Sequence, residues 1–539
     1  MSNTLYYGDN LHVLREHVRD GSVDLIYLDP PFNSNANYNI LFKSPEGQDS
    51  DAQIEAFEDT WHWNDTAETA FDEVMKSGNT AAFELLRAMR AFLGENDMMA
   101  YLAMMAVRLI ELHRVLKPTG SLYLHCDPTA SHYLKLLLDG VFGPVCFRSE
   151  IIWKRTSAHS NSKRNFAGVH DVILLYSKTS KSTHNEAFTP YSAAYIAEHF
   201  VHVDADGRRF RRSDLRNPGV RPNLRYDYLA SNGITYKPHP NGWAVSREVM
   251  EQLDREGRLF FPKKEDARLR KKIYLDESQG VPATDMWEDL PPIHASAAER
   301  LGYPTQKPLA LLERIIAASS NEGDVVLDPF CGCGTAVHAA QKLGRQWIGI
   351  DVTHLAISLI EKRMKDAFPG ISFTVEGRPQ DLAAAMDLAE RDKYQFQWWA
   401  VSLVDALPFG GKKKGADGGI DGLIYFKPDG KRTEKAIVSV KGGKHVDVKM
   451  IRDLHSAMER EKAPFGVFIC AALPTGPMEK EAAAVGVWEN EYTGRTHPRL
   501  QILTLAELFA GKRPDIPWVD ASVLKSAKRE DQSKQGKLL

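Results

Sequence analysis

The sequence predicts an α/β protein built on a mainly parallel sheet, followed by a second and smaller α/β unit. Residues 24–29 form a short apolar run that ends in Asp29 and two prolines, which is typical of a buried parallel strand that opens into a loop. Residues 324–351 read as a strand, a Gly-rich turn, a helix and a strand ending in Asp351. The alternation of helix and strand starts again at residues 394–510, and 539 residues allow two to four domains.

Composition excludes several classes of protein. Hydrophobic residues make up 43% of the chain and charged residues 26%, which is the balance of a folded globular protein. The five cysteines lack the paired spacing of a disulfide framework or a zinc site. Neither a signal peptide nor an apolar stretch of bilayer length is present. We therefore expect a cytoplasmic protein without membrane contact.

The first unit is expected at residues 1–185. Asn96 is expected to cap an apolar helix that runs to about residue 116, and the methionines of this helix are interpreted as core packing. Residues 43–96 are acidic and poor in glycine, and we interpret them as an insertion of loops and short helices that could act as a lid. Further strands are expected at residues 151–154 and 172–176.

Charge is distributed unevenly along the chain. Residues 148–273 contain 24 Lys and Arg against 14 Asp and Glu, although the whole chain has a net charge of −3. Such a segment favours a polyanion, above all double-stranded DNA, but an ordinary solvated basic face fits the charge equally well. Arg side chains can contact base edges and clamp phosphates, so we assign residues 186–295 to target recognition. The candidate DNA-binding residues are Arg208, Arg209, Arg211, Arg212, Arg216, Arg221 and Arg225.

The turn at residues 328–335 indicates a nucleoside site. Its glycines allow the backbone to approach a ligand closely, and Asp351 lies 19 positions after Gly332, a spacing at which a strand-end carboxylate can hold ribose hydroxyls. The chain lacks a phosphate-binding Gly-Lys-Ser/Thr motif here, so a nucleoside cofactor without phosphates fits better. A metal site at Cys331 and Cys333 is the weaker interpretation, because neither His nor Cys lies nearby as a partner.

The block from Gly302 to Pro308, Gly-Tyr-Pro-Thr-Gln-Lys-Pro, followed by Leu327 to Thr335, resembles motifs of DNA N6-adenine and N4-cytosine methyltransferases. With Asp29-Pro-Pro-Phe first, the basic region second and the cofactor turn last, the order resembles the permuted β-class. Over residues 1–380 the resemblance implies a Rossmann-like fold that depends on S-adenosylmethionine, with its cofactor half at 296–385. We leave open whether the chain forms a homodimer. The implied cofactor-binding residues are Asp9, Asn10, Gln306, Lys307, Pro308, Asp328, Pro329, Phe330, Gly332, Gly334, Thr335 and Asp351.

Each part of that resemblance implies a role. Gly8-Asp9-Asn10 would contact the cofactor adenine, Asp351 the ribose, and residues 306–308 the methionine end. A plain helix cap is an alternative interpretation of Asp9.

The loop Asp29-Pro30-Pro31-Phe32 carries the candidate catalytic residues. An exocyclic amine is a poor nucleophile, and acceptors on both of its N–H groups, here Asp29 and the Pro30 carbonyl, would localise its lone pair. Phe32 would stack on a flipped base. A strand-ending turn is the alternative for the motif taken alone. By resemblance, Asp in the first position favours adenine over N4-cytosine methylation.

The third unit, at residues 394–512, places Asp421 and Lys441 at the ends of two apparent strands, a pair that can hold a divalent metal and orient water. It resembles the Mrr-type branch of the PD-(D/E)xK nucleases, which implies Mg²⁺ with Asp421 as a ligand. Two positions depart from that pattern, Ser439 in place of Glu or Gln and Gln397 in place of an acid. Cleavage and an inactive DNA-binding module therefore both remain open. Residues 520–539 are expected to form a disordered tail.

Overall fold

The structure is a computed structural model of the chain. It describes residues 3–31, 63–156, 166–262, 268–294, 297, 299–301, 303, 305–409, 419–429, 432–443, 445–491, 493–517 and 528–530, together with strands at 37–43 and 49–58. These residues form two compact units, one made of Met1–Asn185 with Asp285–Leu538 and the other of Glu186–Thr284. Among the described helices, none combines the length and the apolar character needed to cross a bilayer.

A nine-stranded sheet organises the first unit, and it is parallel except at one strand. In sequence order its strands are β1 (Thr4–Tyr7), β2 (Val23–Leu28), β3 (Leu116–Cys126), β4 (Phe147–Lys154), β5 (His170–Ser177), β6 (Met286–Trp287), β7 (Val325–Asp328), β8 (Gln346–Asp351) and β9 (Thr374–Glu376). In space the order is β6-β4-β5-β3-β2-β7-β8-β1-β9, and β5 runs antiparallel to both of its neighbours. The predicted α/β class with a mainly parallel, Rossmann-like sheet is confirmed.

Helices cover both faces of this sheet. They are α1 (Asn10–His17), α2 (Asp65–Lys76), α3 (Thr80–Leu93), α4 (Asp97–Val115), α5 (Pro128–Phe142), α6 (Leu309–Ser319), α7 (Thr335–Lys342) and α8 (His354–Ala367). Along β2, Ile26 and Leu28 belong to the core shared with α1–α5, whereas Leu25 and Tyr27 belong to the core shared with α6–α8. This alternation explains why every residue of β2 is buried, as expected for a central strand.

Asn96 caps α4 as predicted, since its side chain accepts a hydrogen bond from the Met99 N–H at 2.9 Å. The four methionines of α4 lie in or against the hydrophobic core, which confirms their interpretation as packing residues.

Residues 43–96 were interpreted as loops and short helices that could act as a lid, and the described helices are present but pack into the core instead of forming a lid. Helices α2 and α3 occupy most of residues 65–93, and both bury residues such as Phe71 and Leu86 in the main core. They form part of a helical layer. Before them lies a hairpin of strands Asn37–Lys43 and Asp49–Glu58.

The second unit is a small, mostly antiparallel domain. Its four-stranded sheet has the order Leu259–Phe260, Arg270–Tyr274, Arg209–Asp214 and His202–Val203, and its small core includes Tyr228, Trp243 and Met250. Its remaining elements are helices Ala193–His199 and Arg247–Arg255, a 3-10 turn at Pro222–Leu224, and the strand pairs Tyr228–Leu229 with Thr235–Tyr236 and Phe188–Thr189 with Val281–Pro282.

The C-terminal part of the first unit has its own five-stranded sheet in sequence order. Its strands are β10 (Leu407–Pro408), β11 (Gly422–Phe426), β12 (Glu434–Lys441), β13 (Phe465–Cys470) and β14 (Leu500–Thr504). Its helices are α9 (Leu382–Arg391), α10 (Lys393–Ser402), α11 (Val448–Glu461), α12 (Gly476–Ala484) and α13 (Leu505–Phe509), with a short hairpin of Val487–Glu489 and Thr496–Pro498.

The elements around this C-terminal sheet pack against those around the nine-stranded sheet. Tyr303 and Cys333 share a hydrophobic core with Trp398 and Leu423, and His354 Nε2 lies 2.7 Å from the Ser402 hydroxyl. In the expected tail, the Glu530 N–H donates to the Ala367 carbonyl at 2.9 Å. The described tail residues therefore contact α8.

Candidate active site at the carboxyl edge of the sheet

Four adjacent parallel strands end at one edge of the nine-stranded sheet. Because β2, β7, β8 and β1 are neighbours, the residues at or just beyond their carboxyl ends, Asp29, Asp328, Asp351 and Gly8, come together, as is usual for ligand sites in such sheets. They line a cavity of about 330 Å³. Other predicted residues on its wall are Asp9, Asn10, Pro30, Pro31, Lys307, Pro329, Phe330, Gly332 and Thr335. The two distant halves of the predicted site thus share one cavity.

The Gly-rich turn requires its glycines. Gly332 and Gly334 have φ angles of +52° and +73°, and a Cβ at Gly334 would lie 2.8 Å from Ile360 Cγ1. Such angles and such a close approach strongly favour glycine. Asp351 holds the turn in place, because its Oδ2 accepts a hydrogen bond from the Gly332 N–H at 2.9 Å. Burial raises the pKa of Asp351 to about 6.

Arg108, on α4, connects the turn after β1 to the cofactor turn. Its guanidinium donates to Asp9 Oδ2 at 2.9 Å and to Asn10 Oδ1 at 2.7 Å, and the Asn10 amide donates in turn to the Pro329 carbonyl at 2.8 Å. Arg108 is buried, and this burial lowers its pKa although the charge of Asp9 acts in the opposite direction. Arg108 was not predicted. An arginine inside an apolar helix was the available signal, since buried charges need partners.

Asp9 fits both of its interpretations. Its Oδ1 accepts from the Leu11 N–H at 2.9 Å and so caps α1, as the alternative interpretation expected. Its other oxygen bonds Arg108, and the residue also lines the cavity.

Asp29 forms an ion pair with Lys307, and both side chains are largely buried, at 15% and 11% exposed. Lys307 follows Asp29 by 278 positions, so this contact joins the two halves of the site. Burial, together with the charges of Asp29 and Asp351, raises the pKa of Asp328 well above its usual range, while Lys307 opposes this effect. Phe32 lies outside the described residues.

Three predicted residues shape the loops without lining the cavity. Gln306 accepts from the Leu301 N–H at 2.8 Å and donates to the Glu299 carbonyl at 2.6 Å, so its amide is used within its own loop. Pro308 and Gly334 occupy the positions just before α6 and α7. Their assignment to cofactor binding stays a prediction.

A buried polar chain behind the wall was also missed. Tyr27, which lines the cavity, places its hydroxyl 3.0 Å from His125 Nδ1, and His125 Nε2 lies 3.1 Å from Asp171 Oδ2. Arg155 completes the chain with a 2.9 Å contact to Asp171. These residues lie on β2, β3 and β5 or just after β4, so only the strand order brings them together.

The arginines of the second unit divide into two groups. Arg208 bonds Asp276 and Glu277, and Arg209 donates to the Phe200 carbonyl at 3.0 Å, so these two side chains hold the unit together. Arg209 is nevertheless exposed, as are four further predicted arginines, Arg212, Arg216, Arg221 and Arg225, of which Arg212 lies over the Phe260 ring. Arg211, half-buried, lies against the Phe200 ring at 6.0 Å.

Asp421 and Lys441 come together at the edge of the C-terminal sheet, with Lys441 Nζ 3.7 Å from Asp421 Oδ2. The same oxygen accepts from the Val440 N–H at 2.7 Å and from the Ser439 hydroxyl at 3.3 Å. Within the described ranges, no group of three or more His, Cys, Asp or Glu is placed to hold a metal ion. The pair is therefore present, but a full set of acidic ligands is not seen in those ranges.

Two family models match the chain. The DNA methylase family matches residues 23–362, and a restriction endonuclease family of the Mrr catalytic type matches residues 388–488.

The curated relatives include type II methyltransferases, a subunit of a type III restriction-modification enzyme and a DNA adenine methyltransferase. The type II methyltransferase M.EcaI of Enterobacter cloacae is 34% identical over 49% of this chain and 57% of its own length. The StyLTI Mod subunit, from a type III restriction-modification enzyme of Salmonella typhimurium, is 29% identical over 64% of this chain and 50% of its own length. The DNA adenine methyltransferase YhdJ of Escherichia coli is 25% identical over 67% of this chain and 83% of its own. The chain thus spans 57% and 50% of the length of the first two relatives.

Among solved structures, a putative DNA modification methylase from Thermus thermophilus, complexed with S-adenosyl-L-methionine, covers 70% of this chain and 100% of its own at 17% identity, with a TM-score of 0.32.

Proposed function

Because the chain belongs to the DNA methylase family, we propose that it transfers a methyl group from S-adenosylmethionine to the exocyclic N6 of an adenine flipped out of double-stranded DNA. One observation carries this proposal. The Asp29-Pro30-Pro31 loop and the turn at Asp328–Thr335 line the same cavity, although about 300 residues separate them.

The cavity fits the cofactor. About 330 Å³ lies in the range of small-molecule sites, and the positive φ angles of Gly332 and Gly334 set the shape of the turn that lines it. Asp351 would accept hydrogen bonds from the ribose hydroxyls, and the Gly8–Asn10 turn would contact the adenine. When bound, S-adenosylmethionine would supply an electrophilic methyl group on its sulfonium sulfur; the sulfur would keep the electron pair of the broken S–C bond, and the methylated nitrogen would release its proton to solvent.

The chain's own contribution lies mainly in the loop after β2. Asp29 and the Pro30 carbonyl would each accept an N–H of the target amine, which draws the nitrogen lone pair out of the ring and aims it along the line of attack. Proline suits this loop because it fixes φ and does not compete as a donor. Stacking of the base on Phe32 stays a prediction from the sequence.

Adenine is the proposed base because Asp, rather than Ser, opens the motif. N4-cytosine is the alternative, since its amine presents the same pair of N–H groups to the same acceptors. Target recognition is assigned to the second unit, whose exposed arginines suit phosphates and guanine edges.

Methyl transfer can be tested directly. Purified protein is incubated with tritiated S-adenosylmethionine and plasmid DNA from a host without DNA methyltransferases. Label retained on the DNA, and lost when unlabelled S-adenosylhomocysteine is added in excess, supports the proposal. If a plasmid that contains many different sequence contexts takes up no label, the proposal is wrong.

Cofactor affinity should depend on pH through Asp351. Ribose hydroxyls donate to the ionised carboxylate, and the pKa of about 6 means that this form is lost as the pH falls through 6. A one-proton linkage then predicts binding about tenfold weaker at about pH 5 than at about pH 8, measured by calorimetry. Asp351→Asn should bind more weakly at neutral pH and lose this part of the pH dependence. An equally steep pH dependence in Asp351→Asn would contradict the assignment.

DNA cleavage dependent on Mg²⁺ is the second candidate activity, and the approach of Lys441 to Asp421 favours it. Mg²⁺ would bind through Asp421, which is the one predicted ligand, and Ser439 adds no carboxylate, so we propose weak metal binding and slow nicking at most.

Lys441→Ala separates cleavage from binding. We expect it to remove any nicking of supercoiled plasmid in about 10 mM Mg²⁺, a concentration high enough to load a weak site, while methyl transfer persists. Lys427→Ala is the control, because Lys427 directly follows the carboxyl end of β11, whereas Asp421 directly precedes its amino end. If the Lys441→Ala variant still nicks the plasmid, the nicking does not come from this site. If the wild-type protein does not nick at all, the interpretation as a DNA-binding module is favoured.

A further inference from the structure

Glu530, in the expected tail, returns to the cofactor half after the nuclease-like domain. Its carboxylate contacts α7 at two places, with Oε1 3.1 Å from His338 Nε2 and Oε2 3.5 Å from Lys342 Nζ. The His338 side chain is 5% exposed and that of Glu530 20%, so the contact is largely shielded from water. Glu530 lies outside the ranges that the two family models match.

His338 joins Glu530 to Arg363 of α8. The Arg363 Nε–H donates to His338 Nδ1 at 3.1 Å. Because arginine stays protonated, Nδ1 is the acceptor of the ring, and Nε2 carries the proton that His338 donates to Glu530. Burial lowers the pKa of His338 to about 4, so the ring is neutral at neutral pH and keeps this arrangement.

The other end of Arg363 holds the cofactor turn. Its Nη1 donates to the Cys333 carbonyl at 3.0 Å and to the Thr335 hydroxyl at 3.1 Å. Both Cys333 and Thr335 line the cavity. One series of hydrogen bonds, from Glu530 through His338 and Arg363, therefore connects the tail to the wall of the cofactor cavity.

The charge of Arg363 explains why a carboxylate is needed in this series. Arg363 is 3% exposed, and the described groups that it bonds, a carbonyl, a hydroxyl, a thiol and an imidazole ring, are uncharged. A buried cation is costly without an anion nearby. Burial lowers the pKa of Arg363, and Cys333 together with the carboxylates of Glu299 and Glu530 opposes this effect. Glu530 is the carboxylate that is joined to Arg363 through His338.

We propose that Glu530 is a positioning residue for the cofactor, which acts through His338 and Arg363 to hold the turn at Cys333–Thr335 in its binding shape. The proposal rests on the proposed function and extends it, because it makes a segment beyond the nuclease-like domain part of cofactor binding. Without the carboxylate, Arg363 lacks a fixed counter-charge, and the turn also adopts shapes that bind the cofactor poorly. The apparent affinity then falls with the population of the competent shape.

The test measures the affinity for S-adenosylmethionine by calorimetry in the full-length chain. Glu530→Ala should bind about tenfold more weakly than wild type, which corresponds to a competent turn in roughly a tenth of the molecules. Glu530→Gln keeps an acceptor for the His338 N–H and loses the charge, so it should bind about threefold more weakly. Lys528→Ala, at an exposed residue of the same segment, is the matched control and should bind like wild type.

Double variants identify the route. In a His338→Leu background, Glu530→Ala should weaken binding by less than about a further twofold, because the link to Arg363 is already broken. In a Lys342→Met background it should still weaken binding about tenfold, since Lys342 contacts the other carboxylate oxygen. Melting curves give the folded fraction of each variant. A Glu530 that only stabilised the fold would raise the melting temperature and leave the affinity of the folded protein unchanged.

Amide hydrogen exchange of the cofactor-free protein gives a second measurement of the turn. The Gly334 N–H, which donates to the Cys331 carbonyl at 2.8 Å, should exchange faster in Glu530→Ala than in wild type or Lys528→Ala.

The outcomes separate the two proposals. If wild-type protein does not bind S-adenosylmethionine saturably, the proposed function is wrong, and the exchange rates alone decide whether Glu530 holds the turn. If wild type binds it and Glu530→Ala binds it equally well, Glu530 is not a positioning residue and the proposed function stands. A tenfold loss that persists in the His338→Leu background would also overturn the proposed route.

Discussion

Asp29→Ala should reduce methyl transfer by about a thousandfold or more while leaving S-adenosylmethionine bound. The side chain that accepts the target amine is removed, and the loss falls on the chemical step because the cofactor wall at Asp328–Asp351 is untouched. Single-turnover rates with preformed enzyme–DNA complex measure the step, and calorimetry measures cofactor affinity. We expect the rate to fall and the affinity to hold or to rise.

A matched control for this variant is Asp139→Asn, which removes the charge of a carboxylate on α5 that pairs with Lys135 away from the cavity and keeps an acceptor for the Tyr176 hydroxyl. It should leave the transfer rate within about twofold of wild type, as most changes to partly exposed ion pairs do. A near-normal rate for Asp29→Ala would remove Asp29 from the mechanism.

Arg108→Ala is expected to have the second-largest effect. It leaves the Asp9 carboxylate and the Asn10 amide without their buried donor, and the Asn10 contact to Pro329 loses its support. The Asp9 side chain is 54% exposed, so loss of the ion pair alone costs about 1 kcal/mol or less, and loss of the buried hydrogen bond to Asn10 adds about 1–3 kcal/mol. We therefore expect a drop of a few degrees in the melting temperature. Cofactor affinity should also fall, since the Gly8–Asn10 turn is no longer fixed against the cofactor turn.

Arg87→Ala is its control, because Arg87 pairs with Glu84 on the exposed face of α3. That pair should contribute less than about 1 kcal/mol. The melting temperature and the cofactor affinity are measured for both variants. If Arg108→Ala and Arg87→Ala have the same melting temperature and the same affinity, Arg108 has no role in the site.

Local patterns in the sequence were enough to predict the strands that end at the site. The apolar run before Asp29 and the strand–turn–helix at Asp328–Thr335 are continuous segments whose signals lie within a few residues. Asp351 was identified in the same way, by its spacing from Gly332. Its contact with the Gly332 N–H follows directly from the βαβ geometry.

Contacts between residues that are far apart in the sequence could not be predicted from local patterns. Arg108 meets Asp9 across 99 positions, and Lys307 meets Asp29 across 278, so both depend on the order of strands in the sheet. The chain of Tyr27, His125 and Asp171 is of the same kind. Short helices were expected within residues 65–93, but their packing over the sheet was not, because a helical layer and a surface lid have similar amphipathic patterns.

The central claim is that this chain methylates the exocyclic amine of adenine at Asp29. Its most direct test is mass spectrometry of nucleosides from the genomic DNA of a methyltransferase-deficient host that expresses either the wild-type chain or Asp29→Ala. We predict N6-methyladenine with the wild-type chain and none with Asp29→Ala. N4-methylcytosine in its place, or equal N6-methyladenine from both chains, would contradict this account.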